Sequence, residues 1–177
     1  MLSHSVKNRF LGILFSCLIL ITFSACSFEK DSSTSIARER YFDMVELLSN
    51  YDEFADSSSY YDVTLDIAKI SDGYRFYIII DNPKVSMYDI EAVAIEKGVD
   101  YSQKMAANIG IFEEEYYSMV PNQYNTEKGF VKGVSISGVT TSLNGEFYLL
   151  VQWNNSSMSH VHREFIRLKG AFEENHE

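Results

Sequence analysis

Tyr60-Tyr61-Asp62-Val63-Thr64-Leu65-Asp66-Ile67-Ala68-Lys69-Ile70-Ser71-Asp72-Gly73-Tyr74-Arg75-Phe76-Tyr77-Ile78-Ile79-Ile80 is the stretch on which the fold turns. Tyr61, Val63, Leu65 and Ile67 alternate with Asp62, Thr64 and Asp66. Successive side chains of a strand point to opposite faces, so this period of two predicts a half-buried strand. Asp72-Gly73 tolerates the positive φ of a tight hairpin turn. Tyr74 to Ile80 is almost wholly apolar and aromatic, which predicts a central strand covered on both faces. Asp81-Asn82-Pro83 ends it, because proline has no N–H to give a ladder.

The pattern continues toward the C-terminus. Ser86 to Gly98 is compatible with a capped helix or a strand, and the sheet context on either side favours a strand. Val99 to Asn125 reads as irregular, with a turn at Pro121-Asn122-Gln123. Gly129 to Thr141 reads as a strand whose glycines mark bulges. Asn144-Gly145 is the strongest hairpin signal in the chain. It leads into Glu146 to Trp153, where Phe147, Leu149, Val151 and Trp153 share a face, and Val161 to Leu168 is the last strand. The prediction is an all-β fold: an antiparallel, immunoglobulin-like β-sandwich of about six or seven strands, preceded by one N-terminal α-helix. The cysteine pair of immunoglobulin domains is missing, so the pattern points to the broader architecture.

Toward the N-terminus, Tyr41, Met44, Val45 and Leu48 recur at helical spacing, and a helix is expected over Ile36 to Ser49, capped by Ser35 or Thr34. Asn50 to Ser59 is an acidic, serine-rich loop, and Ser27 to Ser35 a polar, flexible tether. Residues 1 to 9 carry Lys7 and Arg9 and no acid, and Phe10 to Phe23 is apolar except for Gly12, Ser16 and Thr22. A basic start, a short apolar run and small residues at its end are the parts of an export signal. The run is shorter than the ~20 apolar residues of a spanning helix. Phe23-Ser24-Ala25-Cys26 closes it.

That closing tetrapeptide resembles the lipobox of bacterial lipoprotein precursors, with Phe23 where the usual pattern has leucine. The resemblance covers residues 1 to 26. It implies cleavage between Ala25 and Cys26 and a diacylglyceryl group on the Cys26 sulfur. The membrane is then a partner through that lipid, and the location is the outer side of a bacterial cell membrane, or the outer membrane in a Gram-negative host. Two acyl chains hold stably where one holds marginally, at about 0.8 kcal/mol per buried CH₂. From Tyr74 onward the layout also resembles uncharacterised surface lipoproteins of Gram-positive bacteria, a likeness that brings no function with it. The expected divisions are 1–25 signal, 26–35 lipidated tether, 36–59 helix and acidic loop, 60–172 sandwich and 173–177 acidic tail.

The full chain has 15 Lys plus Arg and 25 Asp plus Glu. Loss of Lys7 and Arg9 with the signal leaves 13 against 25, a formal charge of −12. Nucleic acid asks for a basic patch, so no nucleic-acid partner is expected. Cys17 and Cys26 are the two cysteines. With Cys17 removed and Cys26 lipidated, the mature body has no disulfide and relies on its core.

The chemistry-bearing motifs are weak. His160-Val161-His162-Arg163-Glu164 puts His160, His162 and Glu164 on one strand face, a candidate metal set; solvated polar residues on a strand explain it better, and no metal or other cofactor is expected. Glu113-Glu114-Glu115 reads as a charged turn. Gly-Val-Ser-Ile-Ser-Gly does not match a serine elbow, and no catalytic residue is assigned. Tyr101, Tyr116, Tyr117, Tyr124 and Trp153 lie near turns and are candidates for a sugar or peptide platform. The sequence therefore favours a non-enzymatic, lipid-anchored binding or adhesion domain recognising a protein, peptide or glycan. The alternatives are an envelope hydrolase with a non-local active site, and a scaffold whose helix docks a membrane complex. Cys26→Ser is expected to release the protein from membranes in a fractionation experiment; tight association that survives the substitution contradicts the lipid anchor.

Overall fold

The structure, a computed structural model, describes residues 25–170, with side chains from Ser33 onward. The export signal expected over residues 1–25 falls outside the described residues except for the backbone of Ala25, as do the side chain of Cys26 and the expected acidic tail. The chain divides into two units, Met1–Glu39 and Arg40–Glu177. The elements in order are α1 (Ala25–Ser49), β1 (Asp62–Ile70), β2 (Gly73–Asp81), β3 (Tyr88–Glu96), β4 (Ala107–Ile109), β5 (Gly133–Thr140), β6 (Glu146–Asn154) and β7 (Val161–Lys169). They form two antiparallel sheets, a three-stranded one in the order β1-β2-β5 and a four-stranded one in the order β4-β3-β6-β7.

Helix α1 starts earlier than the sequence predicted. Stretch 26–35, expected as an irregular tether, is helical, and Thr34 and Ser35 sit inside the helix instead of capping it. No glycine or proline interrupts residues 26–49, so a helix nucleated on the apolar stripe propagates through the serine-rich segment.

The strands follow the period-two reading closely. Ile70 opposes Gly73 across a two-residue turn, with Gly73 at φ 134°, which makes β1 and β2 the expected hairpin. Segment 86–98 holds a strand, as expected, over Tyr88–Glu96. Three expectations need correction. Strand β2 is not covered on both faces: Phe76, Ile78 and Ile80 are buried, while Ile79 is exposed. The doubly buried strands are β3 and β6, each with an unbroken run of buried residues. Asn144-Gly145 is also not a hairpin, because β5 pairs with β2 and β6 pairs with β3 and β7. The dipeptide serves a crossover from one sheet to the other. Likewise, β5 runs against β2 without a register shift, so its glycines are not bulges. Gly138 is there because a Cβ would meet the Phe76 ring at 2.6 Å.

The core lies between the sheets. Phe76, Ile78, Ile80, Val134 and Ile136 face Ala92, Ala94, Phe147, Leu149, Val151 and Ile166 in one buried cluster. The Phe76 and Phe147 rings meet at 4.6 Å between centroids. The small Ala92 and Ala94 leave room for these rings, as close packing requires.

Within the second unit, the C-terminal half of α1 covers the other face of the four-stranded sheet. Tyr41, Met44 and Leu48 are buried, as the helical spacing predicted. The Tyr41 hydroxyl accepts a hydrogen bond from the Ala106 N–H at 2.6 Å. Arg40 pairs with Glu91, Gln152 donates to the other Glu91 oxygen, and the Arg163 Nε–H donates to Gln152 Oε1 at 3.0 Å. Glu91 would be costly to bury alone, and these partners satisfy it. Arg40 remains 43 % exposed, so water screens the pair and the apolar stripe dominates the docking. Tyr41, Met44 and Leu48 thus face inward, while Phe42 and Leu47 of the same helix are exposed. Leu48→Ala is expected to lower the unfolding free energy measured in urea by about 2–5 kcal/mol, the range for a large-to-small change in a core; a loss below about 1 kcal/mol would show that the helix does not depend on this contact.

Candidate functional site

The segment between β4 and β5 builds the main concavity. Pro121 and Asn122 form the expected turn, with the Gln123 N–H donating to the Val120 carbonyl at 3.0 Å and Asn122 at φ 62°. Asn125 and Phe130 then exchange two backbone hydrogen bonds at 2.9 Å around the short 3₁₀ turn Thr126–Lys128. Gly129 closes this turn at φ 73°, and a Cβ there would meet the Tyr116 carbonyl oxygen at 2.5 Å. The Val131 N–H donates to the Ser118 carbonyl at 2.9 Å and fixes the loop to the chain before it. The result is a small closed loop that holds Tyr124 at the surface, 61 % exposed.

Between this loop and the three-stranded sheet lies a cleft of about 880 Å³. The sheet contributes Ile79, Asp81, Gly133 and Ser135, and the loops contribute Asn82, Asn122, Gln123, Tyr124 and Lys132. The Lys132 ammonium stands 5.1 Å from the Tyr124 ring centroid, a cation–π contact that orients both side chains. Asn82 takes φ 47° where β2 ends, so both asparagines of the cleft adopt the left-handed conformation this residue tolerates. Its amide donates to Asp62 at 2.6 Å, and Lys84 donates to the same carboxylate at 2.8 Å. These bonds, Asn82 first, hold the Asp62 carboxyl below the usual range. The cleft thus combines one accessible aromatic ring with amides, a hydroxyl, a carboxylate and an ammonium.

The other predicted aromatic residues do not join it. Tyr101 is half-buried, and its hydroxyl accepts the Glu96 N–H at 2.8 Å, so it braces the end of β3. Tyr117 packs against the core, and Tyr116 is exposed. Trp153 is buried, with His162 stacked on it at 5.4 Å and the edges of Tyr60 and Tyr61 against it. Trp153 and His162 border a second, smaller cavity of about 390 Å³ with Tyr60, Ser86 and Asn155.

The structure separates the candidate metal set. His160 precedes β7, His162 lies on Trp153, and Glu164 accepts a hydrogen bond from Ser58 at 2.5 Å. Among the described residues no three His, Cys, Asp or Glu side chains come together in a way that could hold a metal ion. The strand-face argument correctly aligned His162 with Glu164, but the aromatic neighbour claims one and a serine the other. Glu113-Glu114-Glu115 is exposed, as a charged turn should be. No helix among the described residues is long and apolar enough to cross a membrane.

Sequence reading missed Tyr61 as a special residue. It is fully buried, and its hydroxyl finds no partner at full hydrogen-bond geometry among the described residues, with Ser58 and the Glu164 carboxylate lying near it. Burial, and then the nearby Glu164 charge, push its pKa well above the ordinary tyrosine value. Burial also raises Tyr41 and Tyr101. Below about pH 10 these tyrosines are protonated in both states. Above it the unfolded hydroxyls ionise while the folded ones stay neutral, so stability falls as pH rises. An unpaired buried hydroxyl costs about 1–3 kcal/mol. Tyr61→Phe is therefore expected to raise stability by about 1 kcal/mol at neutral pH and to lessen its alkaline loss. Denaturant titrations at neutral and alkaline pH check both, and a destabilised variant would mean that the hydroxyl does useful bonding.

Comparison of the chain with protein-family models, with curated proteins and with solved structures finds no match.

Proposed function

We propose that the body of this protein is a non-enzymatic binding domain that takes its protein, peptide or glycan ligand in the cleft beside Tyr124, and that the chain is held on the outer side of a bacterial membrane through lipidated Cys26. The observation that carries the binding reading is the construction of the cleft. A hydrogen-bonded sheet supplies the floor, and a hydrogen-bonded loop presents an exposed aromatic ring beside amides, a carboxylate and an ammonium. Binding sites are commonly placed in this way, on loops held by a stable scaffold. The aromatic ring offers apolar area at low entropic cost, and the amides and charges supply direction.

An immunoglobulin-like sandwich is the fold we infer for the body. The order β1-β2-β5 facing β4-β3-β6-β7 supports it, because it matches the immunoglobulin arrangement with the fourth strand moved to the other sheet. In that architecture the loops gather at the two ends, where recognition surfaces are usually carried. The acidic balance of the chain favours a body that stays clear of anionic lipid, as a tethered receptor should.

The cleft is tested in the full chain on intact cells. A photo-crosslinking amino acid replaces Tyr124 in one variant and Phe42, an exposed residue of α1, in another. The expected result is a discrete adduct from position 124 and none from position 42. No adduct at 124, or equal adducts at both, overturns the assignment of the cleft.

A further inference from the structure

The cleft does not end at Ser135. Its sheet wall continues as the outer face of the three-stranded sheet, and the strand register fixes what stands there. Thr64, Ile79 and Ser135 form one row across the sheet; Asp66, Tyr77 and Ser137 form the next; Ala68, Arg75 and Val139 the third. Residues directly opposite in an antiparallel pair share a face. The flanking residues of all three rows are exposed. They are short, apart from Asp66 and Val139, so the longer central side chains of β2 form a raised line between shallow margins.

From these rows the geometry points to a linear, neutral glycan lying along β2, with one end in the Tyr124 cleft and the chain running over Ile79, Tyr77 and Arg75. This inference rests on the cleft being the binding site. Three observations select the ligand class. Strand β2 is paired on both edges, with β1 and with β5, so its backbone has no free groups with which to add a peptide strand. Recognition must come from side chains, and those present are the rings of Tyr124 and Tyr77, hydroxyls of Thr64, Ser135 and Ser137, and the planar polar groups of Arg75 and Asp81. A pyranose presents apolar C–H edges and many hydroxyls, which such a set satisfies.

The second observation is charge. Arg75 and Lys132 are in none of the ion pairs among the described residues, and the strip also carries Asp66 and Asp81. Two cations against two carboxylates make the strip neutral in a chain of net charge −10. A strongly anionic polymer would meet the acidic surroundings, and a cationic one would find no excess of acid on the strip itself. The third is length. Ile79 to Arg75 spans about 14 Å at the rise of a strand, longer than one sugar ring. A chain of several units therefore reaches contacts that a short one cannot.

The test is calorimetric titration of the full chain in detergent. The probes are hexasaccharides and disaccharides of β-glucan, chitin, mannan and xylan type, an alginate hexamer, and an extended uncharged peptide. The expected result is that at least one neutral hexasaccharide binds at least about tenfold more tightly than its disaccharide, the scale of one good additional contact. Tyr77→Ala should reduce the hexasaccharide to the disaccharide's affinity and leave the disaccharide unchanged. Ser137→Trp, which blocks the margin without removing any contact of the core, should do the same. Tyr124→Ala should weaken both lengths.

Failure of every neutral hexasaccharide to bind, equal affinity at the two lengths, or preference for the peptide or the alginate overturns the glycan inference. If crosslinking from position 124 persists in those cases, the cleft stands and the ligand class falls. If crosslinking fails too, both fall.

Discussion

Everything in the body depends on the contact between β2 and the pair β3–β6. Phe76 of β2 meets Phe147 of β6, and Ala92 and Ala94 of β3 are small enough to let the sheets close. Each fully buried large side chain in this layer contributes about 1.5–3 kcal/mol, an upper range because unfolded chains already hide some surface. No other interaction is of that size and repeated that often. The four ion pairs among the described residues leave one or both partners at least 35 % exposed, and such pairs contribute little. Once the sheets are closed, the faces turned outward acquire different fates.

One outer face is covered and the other is free. The four-stranded sheet is hidden by Tyr41, Met44 and Leu48 of α1, and its buried Glu91 is answered by Arg40 and Gln152. The outer face of the three-stranded sheet carries Thr64, Ser135 and Ser137 beside Tyr77 and Ile79, and nothing in the described residues lies over these rows. A body with one sealed face and one open face has an intrinsic direction. The open face continues into the Tyr124 cleft, which is why recognition is placed there.

The candidate residues taken from the sequence fared unevenly, and the reasons are physical. Tyr124 reached the surface because Gly129 and the Asn125–Phe130 bonds fold its loop back on itself. Trp153, equally aromatic and equally close to a turn, went inward because it falls on the inner face of β6 with Phe147, Leu149 and Val151. Its alternation with those residues was legible beforehand; that the inner face would be closed by Tyr61 was not. His162 and Glu164 do share a face, yet a shared face is not a shared site when a neighbouring strand or loop supplies a competing partner to each.

The sequence by itself determined where the strands run and which of their residues point inward. Period-two alternation and turn chemistry act over a few residues, and the β1–β2 hairpin follows from them, with Ser71-Asp72 as the turn and Gly73 supplying the positive φ at the start of β2. The same local rules misjudged Asn144-Gly145, because a turn dipeptide fixes backbone dihedrals but not which sheet the next strand joins. They misjudged the burial of β2 as well, because an apolar run does not say whether a helix or open solvent will lie over it. Those choices rest on contacts between residues far apart in the chain, such as Arg40 with Glu91 and Tyr41 with Ala106. Only the tertiary structure decides them, because such contacts form at distances along the chain where local pattern carries no information.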